Sequence, residues 1–583
     1  MSLLAALILW HAMSRRTAAW FVPIVLCAGV GYALTWRRSP PAKTPDVDVG
    51  DSLTSPAPST ASDPGLVPEE VEPAPAVRPG EPLLVELTEE PAERYGAQAQ
   101  NESDRAYAAT IEALGRPEVI YDAALGHAAR ELAYEHSLLG GLVPQDIVDF
   151  LVHSAGAIDR SVTQGYTATG GEGMEAVSER LLQMLGPPPG SGTVRVGVGE
   201  AFVPGAQRPR YIAVLLSRRE VEISSVPRRV PPGTLWVLSG ILPPGYESPT
   251  ALVLRGERIE EVPVTSQGRR FTVDVAVGER PATLAVSVGA TGPFGPTPLL
   301  QLPIEVGRPL PSTFETRVAE DESAIRTPDA GEALALGLLD ADRRRYHLPD
   351  LVRDEALDAI ARAHSVDMRD HGFFGHVSPD TGGPSDRLAA AGYRASTYAE
   401  NVASGGSLHG AEAGLFASLG HRRNILNPDV THVGIGVAGK AGEDGRIEWH
   451  LTQLFARPVV AIDASAEAET LRAALDARRH AAGIAALAAD QSLDAIARQT
   501  ARLAAQGGTE GLADRVIDQA RRAGETRGGA YAFVQSTTDV GALALPDEAL
   551  DPKFTRVGLG VVQLDDHPQG IVGVVVLLTG DRS

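Results

Sequence analysis

At 583 residues the chain is too long for one hydrophobic core and long enough for about four compact units. Hydrophobic residues make up 43%, which excludes a mostly disordered chain, and 52 Lys and Arg against 74 Asp and Glu give a net charge of −22. That acidity excludes nucleic acid as the main partner, because phosphate binding needs a basic surface. The single cysteine, Cys27, excludes internal disulfides and thiolate zinc sites, so any metal must sit on His and carboxylates.

Residues 17–36 carry no formal charge and lie between Arg15-Arg16 and Arg37-Arg38, with Trp20 and Trp36 near the ends. A helix needs roughly 20 apolar residues to cross a bilayer, so this run is read as a transmembrane helix or uncleaved signal anchor. The alternative is a signal peptide cleaved after the small residues around Ala33. Arginines on both sides leave the orientation open. Residues 37–81 read as a Pro-rich acidic linker, with ten prolines, seven acidic residues and no aromatic between residues 39 and 80. Such a stretch cannot bury enough apolar surface to offset its ordering entropy, and it reads as a stalk.

Three stretches then share a pattern. Leu357-Asp358-Ala359-Ile360-Ala361-Arg362 recurs as Leu493-Asp494-Ala495-Ile496-Ala497-Arg498. Downstream, Val433-Gly434-Ile435-Gly436-Val437 recurs as Val557-Gly558-Leu559-Gly560-Val561. A weaker version starts at Leu125 and closes with Val196-Gly197-Val198-Gly199. Each copy opens on apolar residues at helical spacing and closes on two β runs, which predicts helices covering a largely antiparallel sheet. The expected units are residues 82–226, 330–458 and 461–583. Between the first two, residues 227–310 change character. Phe271, Val273, Val275 and Val277 alternate with Thr272, Asp274 and Ala276, and strands are expected at 234–238, 251–254, 283–288 and 299–306. A small immunoglobulin-like β-sandwich acting as a spacer is expected there.

Eight of the 14 histidines fall between residues 347 and 450, so the chemistry belongs to the middle copy. Five strings there carry a resemblance: Leu357 through Met368; Phe374-Gly375-His376-Val377-Ser378-Pro379; Ala399-Glu400-Asn401-Val402; Ser418 through Leu426 around His421; and Val433-Gly434-Ile435-Gly436 with Trp449 through Phe455. Residues about 333–457 resemble the bacterial branch of the CAP superfamily, also called SCP domains. The resemblance implies α/β domains of α-β-α sandwich type, here in tandem with degenerate outer copies, and a cleft holding two histidines and two glutamates. His376, Glu400 and His421 match three of these. The fourth, a Glu expected around residues 415–418, is missing, and Glu412 comes too early.

Two imidazoles and a carboxylate can ligate Zn²⁺ or another divalent metal, can form a His–Glu pair for proton transfer, or can simply brace the cleft. Arg387 reads as structural, because Ala513-Asp514-Arg515-Val516 retains it in the last copy without the histidines. Ser378, Ser418 and Arg422 are motif residues, while His432 and His450 read as surface or strand-face positions and Asn401 as a turn former. String alignment puts Phe533 at the place of Glu400, and Leu545 or Met184 at that of His421, so the outer copies read as inert. The expected protein is membrane-anchored through residues 17–36 with its globular part extracytoplasmic. It would bind a cell-envelope component (peptidoglycan, lipid or protein); the alternatives are a metal-dependent hydrolase or peptidase and a structural spacer.

Overall fold

The computed structural model describes residues 80–580, apart from 97, 140–142, 161, 170–177, 179–192, 204–209, 220, 318–321, 323, 442–446, 527–528 and 566, together with residues 28–29. The expected membrane segment 17–36 and most of the linker 37–81 lie outside the described residues. Among those described, no helix is long and apolar enough to cross a membrane.

The molecule is mixed α/β, and three of its sheets share one strand order. The first contains β1 (Val119–Tyr121), β2 (Val162–Thr169), β3 (Val194–Phe202) and β4 (Arg210–Ser217), in the order β1-β3-β4-β2. Helices α1 (Ala123–Leu139) and α2 (Gln145–Ser154) belong to the same unit. A β region follows. One of its sheets is built from β6 (Arg229–Val230), β8 (Glu247–Arg255), β9 (Arg258–Val262), β12 (Ala282–Gly292) and β13 (Gly295–Val306). The other contains β5 (Glu222–Ile223), β7 (Leu235–Ile241), β10 (Val264–Gln267) and β11 (Arg270–Ala276). The two sheets share one core, in which Trp236, Phe271, Val273, Val286, Leu300 and Ile304 are buried. The expected strands are all present, most of them longer than expected. Four were not foreseen: the two-residue β5 and β6, and β9 and β10, whose sequences Arg-Ile-Glu-Glu-Val and Val-Thr-Ser-Gln lack a buried apolar alternation.

The middle unit runs through α3 (Pro328–Arg345), β14 (Val352–Arg353), α4 (Glu355–His371), α5 (Pro384–Ala390), β15 (Ala395–Gly405), α6 (Leu408–Ala417), α7 (Leu419–Ile425), β16 (His432–Ala441) and β17 (Ile447–Pro458). Its described sheet contains the run β15-β17-β16-β14, antiparallel except for the short parallel pair β14–β16. Helices cover both faces. Leu357, Ile360, Ala361 and Leu388 pack on Leu454 and Ala456, while Ala335, Leu339, Ala411 and Leu415 pack on Val433, Ile435, Leu451 and Phe455. The last unit repeats the plan with α8 (Ala464–Ala481), β18 (Ala488–Ala489), α9 (Gln491–Ala505), α10 (Leu512–Arg522), β19 (Ala530–Thr537), β20 (Arg556–Gln563) and β21 (Val572–Thr579), in the order β18-β20-β21-β19.

The repeated strings have a local physical cause. Asp354 accepts from the N–H groups of Ala356 and Leu357 and so caps α4; Asp490 does the same for Ser492 and Leu493, and Asp122 for Ala124 and Leu125. The glycines let each capped helix lie directly on its strand. A Cβ on Gly434 would stand 2.1 Å from the Leu357 carbonyl carbon, and one on Gly436 would stand 2.1 Å from the Arg362 nitrogen. Gly197, Gly199, Gly558 and Gly560 meet backbone atoms of α1 and α9 at 2.1–2.4 Å in the same way.

Candidate functional site

Three segments of the middle unit bring the expected residues together. His376 lies in the loop after α4, which ends on Gly372 in the left-handed conformation. Glu400 lies mid-strand in β15 and His421 on α7. All three are sealed from solvent, at 2%, 0% and 0% exposure. Glu400 is clamped on both oxygens: His376 Nδ1 stands 2.9 Å from Oε1, and Arg387 Nη2 donates to Oε2 at 2.5 Å. A carboxylate at that distance holds a proton on Nδ1 and fixes the ring so that Nε2 points away from Glu400. His376 Nε2 has no hydrogen-bond partner among the described residues, and neither has either nitrogen of His421.

The charges follow from burial and neighbours. Burial alone would raise Glu400, but Arg387, with His364 and His376, holds it down to about 2. Burial, then His376 and Arg160, push His421 well below the ordinary imidazole range, so it is neutral at pH 7. Arg160 comes from the first unit and has a buried, unpartnered Nη1.

Arg387, read as structural, is the partner of the central carboxylate and also donates from Nη1 to the carbonyls of His376 and Gly382, at 3.0 and 2.7 Å. Asn401 is not in a turn. It sits in β15, fully buried, because its amide donates to Gln453 Oε1 at 2.9 Å and reaches the His421 carbonyl at 3.3 Å. Gln453 Nε2 in turn donates to both oxygens of Glu412 at 2.8 Å, and Asn424 donates to Asn401 Oδ1 at 2.9 Å. Burial raises Glu412 to about 8. His450 is buried, while His432 is half-buried at the head of β16. Ser378 Oγ accepts from the N–H groups of Asp380 and Thr381, and Arg422 stacks over Phe416 and Tyr346. Ser418 is buried with an unpartnered hydroxyl.

Several members were missed. His364 lies on the buried face of α4, and its Nε2 donates to the Gly375 carbonyl at 2.9 Å and lies 3.9 Å from Glu400 Oε1. Its four-residue spacing from Ile360 was visible but reads equally as core. Phe294 and Gln301 arrive from the β region, and no local motif in the sequence announces them.

The geometry does not suit a three-ligand metal centre, because both oxygens of Glu400 are already engaged and cationic Arg160 lies near His421. Among the described residues, the three metal-capable side chains whose ligand atoms lie within 4.8 Å of one another are Asp367, His371 and Asp380, at the end of α4. A separate groove beside Ser396, His432, Arg457, Asp539 and Gln563 contains none of the site residues.

By sequence, residues 336–455 match the Cysteine-rich secretory protein family, CAP. The chain is 34% identical over 149 residues to the uncharacterized protein YkwD of Bacillus subtilis (23% of this chain, 58% of that protein). It is 32% identical over 129 residues to the uncharacterized membrane protein YlbC of the same organism (22% of this chain, 37% of that protein). It thus spans less than two thirds of either relative. An extracellular protein containing a SCP domain from Bacillus anthracis is similar at 18% identity, over 50% of this chain and 94% of that one, with a TM-score of 0.20. The middle unit carries a CAP domain.

Proposed function

We propose that the chain is a membrane-tethered, extracytoplasmic CAP-domain protein that binds a component of the cell envelope through the centre formed by His376, Glu400 and His421. One observation carries this reading: two buried imidazoles, one of them oriented by a clamped carboxylate, turn three nitrogens toward no partner among the described residues. Such groups are costly unless something polar meets them. The outer units serve as degenerate CAP copies without that centre. In sheet register Glu400 stands opposite Leu454, which also faces Gly434; the corresponding residues are Gln164 and Ala532. Gln164 is spent on both backbone groups of Val143, and Ala532 carries no polar group. The β region acts as an immunoglobulin-like spacer.

The same free nitrogens support a second reading, a hydrolase in which His376 moves a proton at Nε2. A divalent ion would have to find its ligands without Glu400. Capture of peptidoglycan, lipid vesicles and envelope proteins is expected to fall at least tenfold in a His376→Ala/His421→Ala double variant. Capture that is unchanged would refute the binding reading, and chelator-sensitive turnover of a peptide library would favour the second.

A further inference from the structure

The site is finished by a part of the chain far from it in sequence. The β12–β13 hairpin turns through Gly292, Pro293, Phe294 and Gly295, and its tip lies on the loop that carries His376. The Phe294 carbonyl accepts from the N–H of His376 at 2.9 Å and from the N–H of Val377 at 3.0 Å. Its ring packs with Met368, Phe373 and Val402, at 5.8 Å from the Phe373 ring, and Phe373 lies 5.9 Å from the His364 ring. The approach is close enough to dictate sequence on both sides. Gly375 has φ +149° and a Cβ there would stand 2.6 Å from that of Phe294, while a Cβ on Gly295 would stand 3.5 Å from that of His376. Further along β13, the Gln301 amide brackets the start of the His421 helix. Its Nε2 donates to the Ala417 carbonyl at 2.9 Å and its Oε1 accepts from Leu419 N–H at 3.1 Å. One hairpin therefore grips both segments that carry the site's histidines.

What sits there is a tight turn, Pro293-Phe294, closing the hairpin between Gly292 and Gly295. It presents an apolar side chain to an apolar pocket and a carbonyl to two adjacent N–H donors, and these are the two elements by which a peptide ligand is recognised. We infer that the tip is a built-in occupant of a peptide subsite beside His376, one that takes a turn carrying an aromatic or branched apolar residue, and that a ligand reaches His376 and His421 only when the tip is displaced. The inference rests on the binding reading above and narrows its ligand to protein. The ladder ends on Ala290 with Thr297, Thr291 with Pro296 and, last, Gly292 with Gly295, so displacing the tip opens only the end of the hairpin.

The cover is tested without any ligand. Replacing residues 291–296 by Asn-Gly joins Ala290 to Thr297 through a two-residue turn and removes the tip. Carbethoxylation of the full chain, read by mass spectrometry, is expected to modify His376 and His421 at least tenfold more slowly than exposed His480. In the shortened chain both should approach the rate of His480, while His136, buried in the first unit, stays protected. Phe294→Ala, which keeps the backbone, should accelerate His376 partway and serves as the readout if protection of His136 is lost in the shortened chain. Equal rates for His376 and His421 in the intact chain and in these variants would overturn the cover.

The ligand class is tested with the peptide acetyl-Thr-Gly-Pro-Phe-Gly-Pro-amide, copied from residues 291–296. Binding to the shortened chain should be at least tenfold tighter than to the intact chain and should vanish when the peptide's Phe is Ala. Equal affinity for both chains, or none for the shortened one, would overturn the peptide subsite. Failure of the binding reading shows separately, as envelope capture indifferent to His376→Ala/His421→Ala.

Discussion

Glu412 is the residue whose chemistry departs furthest from what its position in the sequence suggests. Among the described residues it has no cationic partner, its two oxygens accept from the Gln453 amide, and burial raises it from 4.5 to about 8. A carboxyl protonated more easily in the folded chain than in the unfolded one stabilises fully below about 4.5, and that contribution is lost as pH rises through about 8. His364 works in the opposite sense. Burial depresses it to about 4, so its contribution is present above the unfolded value near 6.5 and is lost as pH falls through about 4. Glu412→Gln keeps an acceptor for Gln453 and removes the ionisation. Denaturant titrations at pH 5 and pH 8 should therefore show the stability of the wild type relative to the variant falling across that interval. Equal slopes would mean that Glu412 is ionised in the fold. The carboxylate of the centre behaves differently because Arg387 lies against it. The sequence showed Glu400 within a motif, but nothing local revealed that Arg387, thirteen positions earlier on a separate helix, completes its hydrogen bonds.

At the scale of elements, the contact of helix and strand explains why the pattern could be read at all. The Val-Gly-x-Gly strings mark where α1, α4 and α9 touch their sheets, and in α4 and α9 the Leu-Asp-Ala-Ile-Ala-Arg strings mark the helix surface that touches. Asp358 and Asp494 do the same work, each accepting a backbone N–H from the facing strand, Ile435 and Leu559, at 2.7 Å. Buried Arg343 and Arg479 likewise each tie two distant carbonyls together, Pro349 and Ile425 in one unit, Ala485 and Ala549 in the other. Gly436→Ala forces a methyl into backbone atoms that cannot swing aside, and the expected cost is about 3 kcal/mol, at the upper end for overpacking. Gly560→Ala should cost a similar amount in the last unit, and equilibrium unfolding of the two variants measures both. A loss below about 1 kcal/mol in either would show that the helix can lift from its strand. Where the repeat lacks such strings, the reading slipped. Aligning Tyr531 on Tyr398 put Phe533 at the place of Glu400, yet the pairing of β19 with β21 puts Ala532 there, opposite Leu577. A slip of one residue exchanges the two faces of a strand, and only the ladder reveals it.

For the whole molecule, the sequence announced the units but not how they join, because the joints are made by single side chains far apart in the chain. Arg228 donates from one nitrogen to the carbonyls of Ala92 and Ser154, at 2.7 and 2.8 Å, and lies over the Tyr95 ring, whose hydroxyl donates to the Pro303 carbonyl. Tyr95 and Ile158 belong to the same buried cluster as Trp236 and Leu302, so the first unit and the β region share a core. The last unit does not. Its two clusters are built from residues between 462 and 578, and its described hydrogen bonds to the middle unit include Arg394 donating to the carbonyls of Leu564 and His567. Units that share a core unfold together, and a unit with its own core unfolds separately. Calorimetry of residues 82–583 should accordingly resolve at least two transitions. Arg228→Ala removes the donor to the Ala92 carbonyl and one of two donors to the Ser154 carbonyl, at about 1–3 kcal/mol for a buried group left unpaired, so it should lower the transition of the first unit and β region together. It should leave the transition of the last unit in place. Arg394→Ala, which touches neither core, should move neither midpoint by more than a degree or two. A single transition that shifts as a whole with Arg228→Ala would show instead that the last unit is bound into the common fold, and that its few visible contacts carry more coupling than their number suggests.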